Sequence, residues 1–150
     1  MLMHVSRALV SGLRRAGAGG LIVVGGAGSL RQGGARHLGN PRFPAEYEPL
    51  ALAHAQTRDY FLTVAGLDWI YAFPAQLIEP GERAGVFRIV GDELLYDADG
   101  SSRITIPDYA AGIVDQLENP AAHRQQITFA CWPAGPAGGR TGHERGGAAR

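Results

Sequence analysis

Four apolar residues in a row, Leu21-Ile22-Val23-Val24, directly follow a segment whose apolar residues recur at helical spacing. This pairing narrows the available folds more than any other feature. Val5, Ala8, Leu9, Gly12, Leu13 and Ala16 share one helical face, while Arg7, Ser11, Arg14 and Arg15 lie off it. Gly17 and the Gly19-Gly20 pair end that helix. A strand with no polar residue on either face is expected where helices cover both sides of a sheet. Helix, short loop and two-sided strand form the αβ half of a doubly wound α/β sheet.

Downstream the pattern recurs less completely. Gly25 to Asn40 reads as loop, and Pro41, Pro44 and Pro49 keep the next stretch irregular. A second helix is expected from about Leu50 to Ala65, facing the core through Ala53, Tyr60, Phe61 and Val64 and closed by Gly66. Asp68 to Phe73 reads as a strand ended by Pro74. Short strands are expected at Val86 to Val90 and Leu94 to Tyr96, with a turn at Asp99-Gly100. Thr105 and Asp108 form a capping box opening a helix with a buried stripe of Ala110, Ile113, Val114 and Leu117, ended by Asn119-Pro120. Ile127 to Cys131 reads as the last strand, so residues 1–131 form the folded part. Residues 132–150 are mostly Gly, Pro, Ala and Arg, the composition of a disordered tail. A doubly wound domain needs several parallel strands, and here none precedes the first helix. The sheet is expected to be incomplete, lacking its N-terminal strands.

Composition closes off several functions. The formal net charge is zero, so no bulk field favours nucleic acid or an anionic membrane. All fourteen basic residues are Arg, which excludes lysine Schiff-base chemistry and a phosphate-loop lysine. Cys131 is the single cysteine, so no internal disulfide forms and a cytoplasmic setting is expected. No apolar run reaches the roughly 18 residues that span a bilayer. No acidic residue precedes Glu46, the pattern of a mitochondrial transit peptide. The direct run of the first helix into a core-like strand favours an ordinary surface helix instead. His4, His37, His54, His123 and His143 have no paired spacing, and no metal site is expected.

The glycine cluster Gly25-Gly26-Ala27-Gly28 stands right after a strand, where dinucleotide sites occur. Counted from Gly26, the third glycine of the fingerprint is replaced by Arg31, and no helix start follows to hold a pyrophosphate. The cluster therefore reads as a flexible strand exit, or as backbone that lets a nicotinamide or substrate come close. Ser29 lacks the flanking glycines of a nucleophile elbow, and nothing in the sequence brings His37 or His54 near it.

The stretches ALVSGLRRAGAGGLIVVGGAGSL, FPAEYEPLALAH, GLDWIYAFPAQLIEPGERAGVFRI, GDELLYDADGSSRITIPDYAAGIVDQLE and RQQITFA together resemble the C-terminal half of atypical short-chain dehydrogenase/reductase proteins that bind NAD(P)H. NmrA-like and NADH-flavin-reductase-like members are among them. The resemblance runs from Val5 to Ala130 and implies an incomplete Rossmann-like domain without the family's first, pyrophosphate-binding strand and loop. It implies that Gly25, Gly26, Ala27 and Gly28 line the nicotinamide side of the cleft and that Phe73, Pro74 and Ala75 pack against the nicotinamide. Ser29, Pro74 and Leu77 would shape the pocket of an unknown small-molecule substrate. The family's Tyr-x-x-x-Lys pair is missing: four residues after Tyr47 stands Ala51.

The expected function is thus that of a truncated NAD(P)-binding oxidoreductase-like protein. A non-catalytic NAD(P)-sensing protein of the NmrA-like type and an inactive remnant are the alternatives. Self-association through an open sheet edge is expected of a half-sheet.

Overall fold

The computed structural model describes residues 1–97, 99–120 and 123–131. The expected disordered tail lies outside these residues. The chain opens with helix α1 (Leu2–Arg15), strand β1 (Gly20–Val24), a hairpin of β2 (Arg31–Gln32) and β3 (Ala35–Arg36), helix α2 (Glu48–Leu62) and strand β4 (Asp68–Phe73). Strands β5 (Leu77–Glu79), β6 (Phe87–Val90) and β7 (Arg103–Thr105), helix α3 (Ile106–Glu118) and strand β8 (Gln125–Cys131) complete it.

The main sheet has the order β1-β4-β8-β6. Its first three strands are parallel, with Val24 level with Ala72 and Phe73 level with Thr128. β6 runs antiparallel to β8 at the far edge. Strand β4 is the centre of the fold, with every residue after Asp68 buried. Its side chains alternate between faces, as strand geometry requires. Trp69, Tyr71 and Phe73 pack with Val10 of α1 and Phe61 of α2. Ile70 and Ala72 pack on the other side with Ile104, Tyr109, Ile127 and Phe129. Helices on both faces of a mainly parallel sheet are the α/β architecture that the two-sided strand Leu21–Val24 led one to expect.

Capping follows local sequence closely. At the end of α1, Gly17 takes φ 66°, Ala18 N–H donates to Leu13 O and Gly17 N–H to Arg14 O, the pair of hydrogen bonds that satisfies orphan carbonyls. At the start of α3, the Thr105 hydroxyl accepts from Asp108 N–H and donates to the Asp108 carboxylate.

The helix faces differ from expectation. On α1 the buried residues are Ser6 and Val10, with Leu13 half-buried, while Val5, Ala8, Leu9 and Ala16 are exposed. Packing beside α2 turns the helix: Arg7 lies over the Tyr60 ring and Arg14 donates to Ala65 O. On α2, Phe61 is buried as expected, as is Val64 just past its end, but Ala51, Ala55 and Thr57 are buried too, whereas Ala53 and Tyr60 are only half-buried. On α3, Ala110, Val114 and Leu117 face outward, Leu117 being 63% exposed. The core side is Asp108, Tyr109, Gly112 and Gln116. Gly112 sets that rotation, because a Cβ there would stand 2.5 Å from Phe129 Cε1 and only glycine allows the approach.

β1 is an edge strand, paired with β4 alone among the described residues, and Val24 is 52% exposed. Its two-sided apolar sequence is therefore only partly buried. Leu94 to Tyr96 forms no strand. Leu94 instead inserts into the cluster under α2, its N–H bonded to Arg31 O. The parallel pair β5–β7 and the hairpin β2–β3 were not expected; each strand has only two or three residues, too few for periodicity to register.

Candidate functional site

Ligands of open parallel sheets bind beyond the carboxyl ends of the strands. Here that crest is formed by β1 and β4. Gly25 N–H donates to Ala72 O at 2.8 Å, which locks the exit of β1 against the end of β4. Ala27–Ser29 then make a single 3-10 turn, with Ser29 N–H bonded to Gly26 O and Leu30 N–H to Ala27 O. On β4, Phe73 is followed by Pro74 and Ala75, all three buried.

The glycines are already filled by the protein's own side chains. A Cβ on Gly25 would stand 2.4 Å from Tyr71 Cε1 and 2.8 Å from Phe73 Cδ1. One on Gly26 would meet His54 Cδ2 at 3.3 Å, and one on Gly28 would meet Ala51 Cβ at 2.8 Å and Phe43 at 3.2 Å. The structure thus gathers Gly25 and Phe73 at one place and packs α2 against Gly26 and Gly28. Pro74 and Ala75 continue directly from Phe73 and are buried, Ala75 in the cluster with Ala72 and Ile104. Leu77 is half-exposed on β5, where its N–H bonds Ser102 O beside β7.

His54 is the residue that sequence reading did not connect to the cluster. It is the histidine of α2 that faces inward, one turn from the buried Ala51 and beside Ala55, and it packs over Gly26, three residues from Ser29. Helical spacing from Phe61 backward gives its side of α2, but only the fold brings that side onto the glycine turn. Ser29 is fully buried, and neither its Oγ nor His54 Nδ1 has a hydrogen-bond partner among the described residues. Buried polar atoms without partners are uncommon and call for an explanation such as an absent ligand or water. The Tyr71 hydroxyl donates to His54 O at 3.3 Å, and burial raises its pKa to about 12, so it stays protonated. Burial also lowers the pKa of His54 and His37 below the ordinary 6.5. His37 Nδ1 contacts Gln32 Oε1 at 2.9 Å, and Gln32 Nε2 donates to the Tyr96 hydroxyl.

These shifts carry a sign. A histidine whose folded pKa is depressed stabilises fully above the unfolded value, and that contribution is lost as pH falls. The urea midpoint is therefore expected to drop between pH 7.5 and pH 5.5, with a smaller drop in His54→Gln. Identical midpoints for the native protein at the two pH values would mean that both imidazoles take up protons freely in the folded state.

No cluster of three or more potential metal ligands exists among the described residues, and no described helix is long and apolar enough to cross a membrane. The residues present fit a nicotinamide dinucleotide only in part. Its pyrophosphate does not fit the glycine turn, since no long helix starts there and the glycine faces are occupied. Its amide end suits the chemistry of Ser29 and His54, one hydroxyl and one neutral imidazole with unused hydrogen-bonding capacity.

No family model matches the chain. A solved protein from Burkholderia pseudomallei, to which export is attributed, is 42% identical with a TM-score of 0.82, over 86% of this chain and 63% of that one. A Streptococcus pneumoniae protein with an attributed NADH-flavin reductase activity is 32% identical with a TM-score of 0.76, over 85% and 64%. The fold is that of Rossmann-like reductases. The uncharacterized protein YwnB of Bacillus subtilis is 35% identical over 132 residues, 84% of this chain and 62% of its own length. The chain thus spans a little under two thirds of each relative.

Proposed function

We propose that the chain is the nicotinamide and substrate side of an NAD(P)-binding oxidoreductase-like protein of the atypical short-chain dehydrogenase/reductase type. The observation that carries this reading is the crest where Gly25 meets Phe73, with the buried Ser29 hydroxyl and the His54 Nδ1 atom unpartnered among the described residues. When bound, the cofactor supplies a hydride, and the protein's part is orientation and exclusion of water. Ser29 and His54 would hold the carboxamide or a substrate oxygen. Backbone of Gly26 and Ala27 and the Phe73-Pro74-Ala75 stretch would form the wall, with Leu77 toward a small carbonyl, quinone or flavin. The pyrophosphate grip has to come from residues outside this sequence, in the same product or in another chain. The half-exposed edge strand β1 supports that part of the reading and equally supports self-association there. A cytoplasmic setting belongs to the same proposal and rests on the free Cys131.

Titrating the 150-residue chain with NADPH and NADH, while following cofactor fluorescence, melting temperature and light scattering, tests this directly. Weak or no binding by a cooperatively melting, self-associating chain is the expected result. Tight binding with a raised melting temperature would refute the need for an outside pyrophosphate grip. If adding the unmatched part of YwnB as a separate polypeptide gives no cofactor binding either, the nicotinamide assignment itself fails.

A further inference from the structure

Two residues past Ser29 the chain turns back on itself. β2 and β3 pair across Gly33 and Gly34, both at positive φ (59° and 88°), as a two-residue turn. This register sets Arg31 directly opposite Arg36. Like charges directly opposite on a strand pair destabilise it. Helix α2 then brings a third guanidinium, Arg58, to the same place, and Arg31, Gly34, Arg36, Arg58 and Asp92 line a hollow of about 220 Å³.

Carboxylates offset only part of this charge. Asp59 takes Arg36 at 2.5 Å and Arg58 Nη1 at 3.0 Å, while Asp92 takes Arg58 Nη2 at 3.0 Å. Partial burial raises the Asp59 pKa, but the hydrogen bonds and charges of Arg36 and Arg58 outweigh it and hold the carboxyl below its ordinary range. Arg58 is further tied to Gln126 Oε1, and its side chain is only 12% exposed, so one wall of the hollow is fixed. Arg31 makes no ion pair with any described carboxylate, including the neighbouring exposed Glu93. The fold therefore holds three guanidiniums around one hollow against two carboxylates.

We propose that this hollow binds a phosphate group, with Arg31 and Arg36 as its movable ligands and Arg58 as the fixed one. Guanidinium forks match phosphate oxygens bidentately. At about 220 Å³ the hollow lies below the roughly 300–1,000 Å³ of pockets that enclose drug-sized ligands, so it takes a single small anionic group. The proposal is independent of the nicotinamide reading.

The test uses inorganic phosphate on the intact chain, by calorimetry and melting temperature, against chloride at matched ionic strength. Arg31→Gln is the variant, since Arg31 is exposed and unpaired and its loss removes the repulsion from Arg36. Without phosphate this variant is expected to melt at or above the native temperature. Saturable phosphate binding by the native chain, weakened at least tenfold in Arg31→Gln, is the expected outcome. Equal phosphate responses in both proteins would reduce the effect to bulk salt exclusion and overturn the proposal, as would no saturable binding at all. Competition between phosphate and NADPH would make the ligand a phosphate of the dinucleotide; phosphate binding without competition would make it a free phosphate, and either supports the site. Failure of NADPH to bind leaves the phosphate titration readable.

Discussion

Gly25→Ala is expected to destabilise the protein by about 2–3 kcal/mol, the upper range for overpacking a filled core. The added Cβ would lie 2.4 Å from Tyr71 Cε1 and within 2.9 Å of Phe73 Cε1, and both rings are fully buried. Neither ring has room to give. Tyr71 is wedged between Phe61 and Phe73, with centroids at 5.7 and 5.0 Å, and its hydroxyl is bonded to His54 O. The backbone of Gly25 is not at positive φ, so the whole effect is close approach. Gly19→Ala, where a Cβ meets nothing within 4 Å, is the matched control and is expected to stay within about 0.5 kcal/mol of the native protein. Urea unfolding measures both. A stable Gly25→Ala protein would mean that β4 shifts easily, and the glycine would then have to be explained by a ligand.

Asp108→Ala is expected to cost about 3 kcal/mol, because one fully buried carboxylate organises three separate groups. It accepts from Ala84 N–H at 3.2 Å, Gly85 N–H at 2.8 Å and the Thr105 hydroxyl at 3.0 Å. Its own N–H is capped by Thr105 Oγ1. The first two bonds fasten the loop between β5 and β6 to the start of α3, and the third keeps the cap oriented. Alanine leaves the two loop N–H groups without this acceptor and empties the space. Asp108→Asn, which keeps the shape and one acceptor oxygen, is expected to lose about half as much. Urea midpoints for the two variants give the comparison. Equal losses would show that the negative charge, and not the number of acceptors, holds the loop.

Much of the fold was legible in local patterns. The αβ units, the glycine stop of α1, the Thr105–Asp108 box and the strand Asp68–Phe73 follow from periodicity and capping chemistry, which act over a few residues. The two-sided apolar character of β1 led to a parallel sheet with helices on both faces, and that is the architecture found. For the candidate site the glycine cluster marked the right end of the right strand. It did not reveal that Tyr71, Phe73, His54 and Ala51 already occupy the space those glycines leave. His54 could not be connected to Ser29, since a separation of 25 positions carries no positional signal until α2 is docked.

The sequence by itself determined the order and kind of the principal elements and the chemistry available at each turn: arginine in place of lysine, one cysteine, and no glycine fingerprint. The tertiary structure alone decided how each helix is rotated, exposing Val5 and Leu9 on α1 and Val114 and Leu117 on α3. It also decided which polar atoms are buried without partners, and it gathered Arg31, Arg36 and Arg58 around one hollow. Elements form from interactions between near neighbours in the chain, whereas rotation and site assembly depend on contacts between segments far apart. The side of a helix that is buried is fixed by what it meets, as Gly112 against Phe129 shows, and no local spacing encodes the partner.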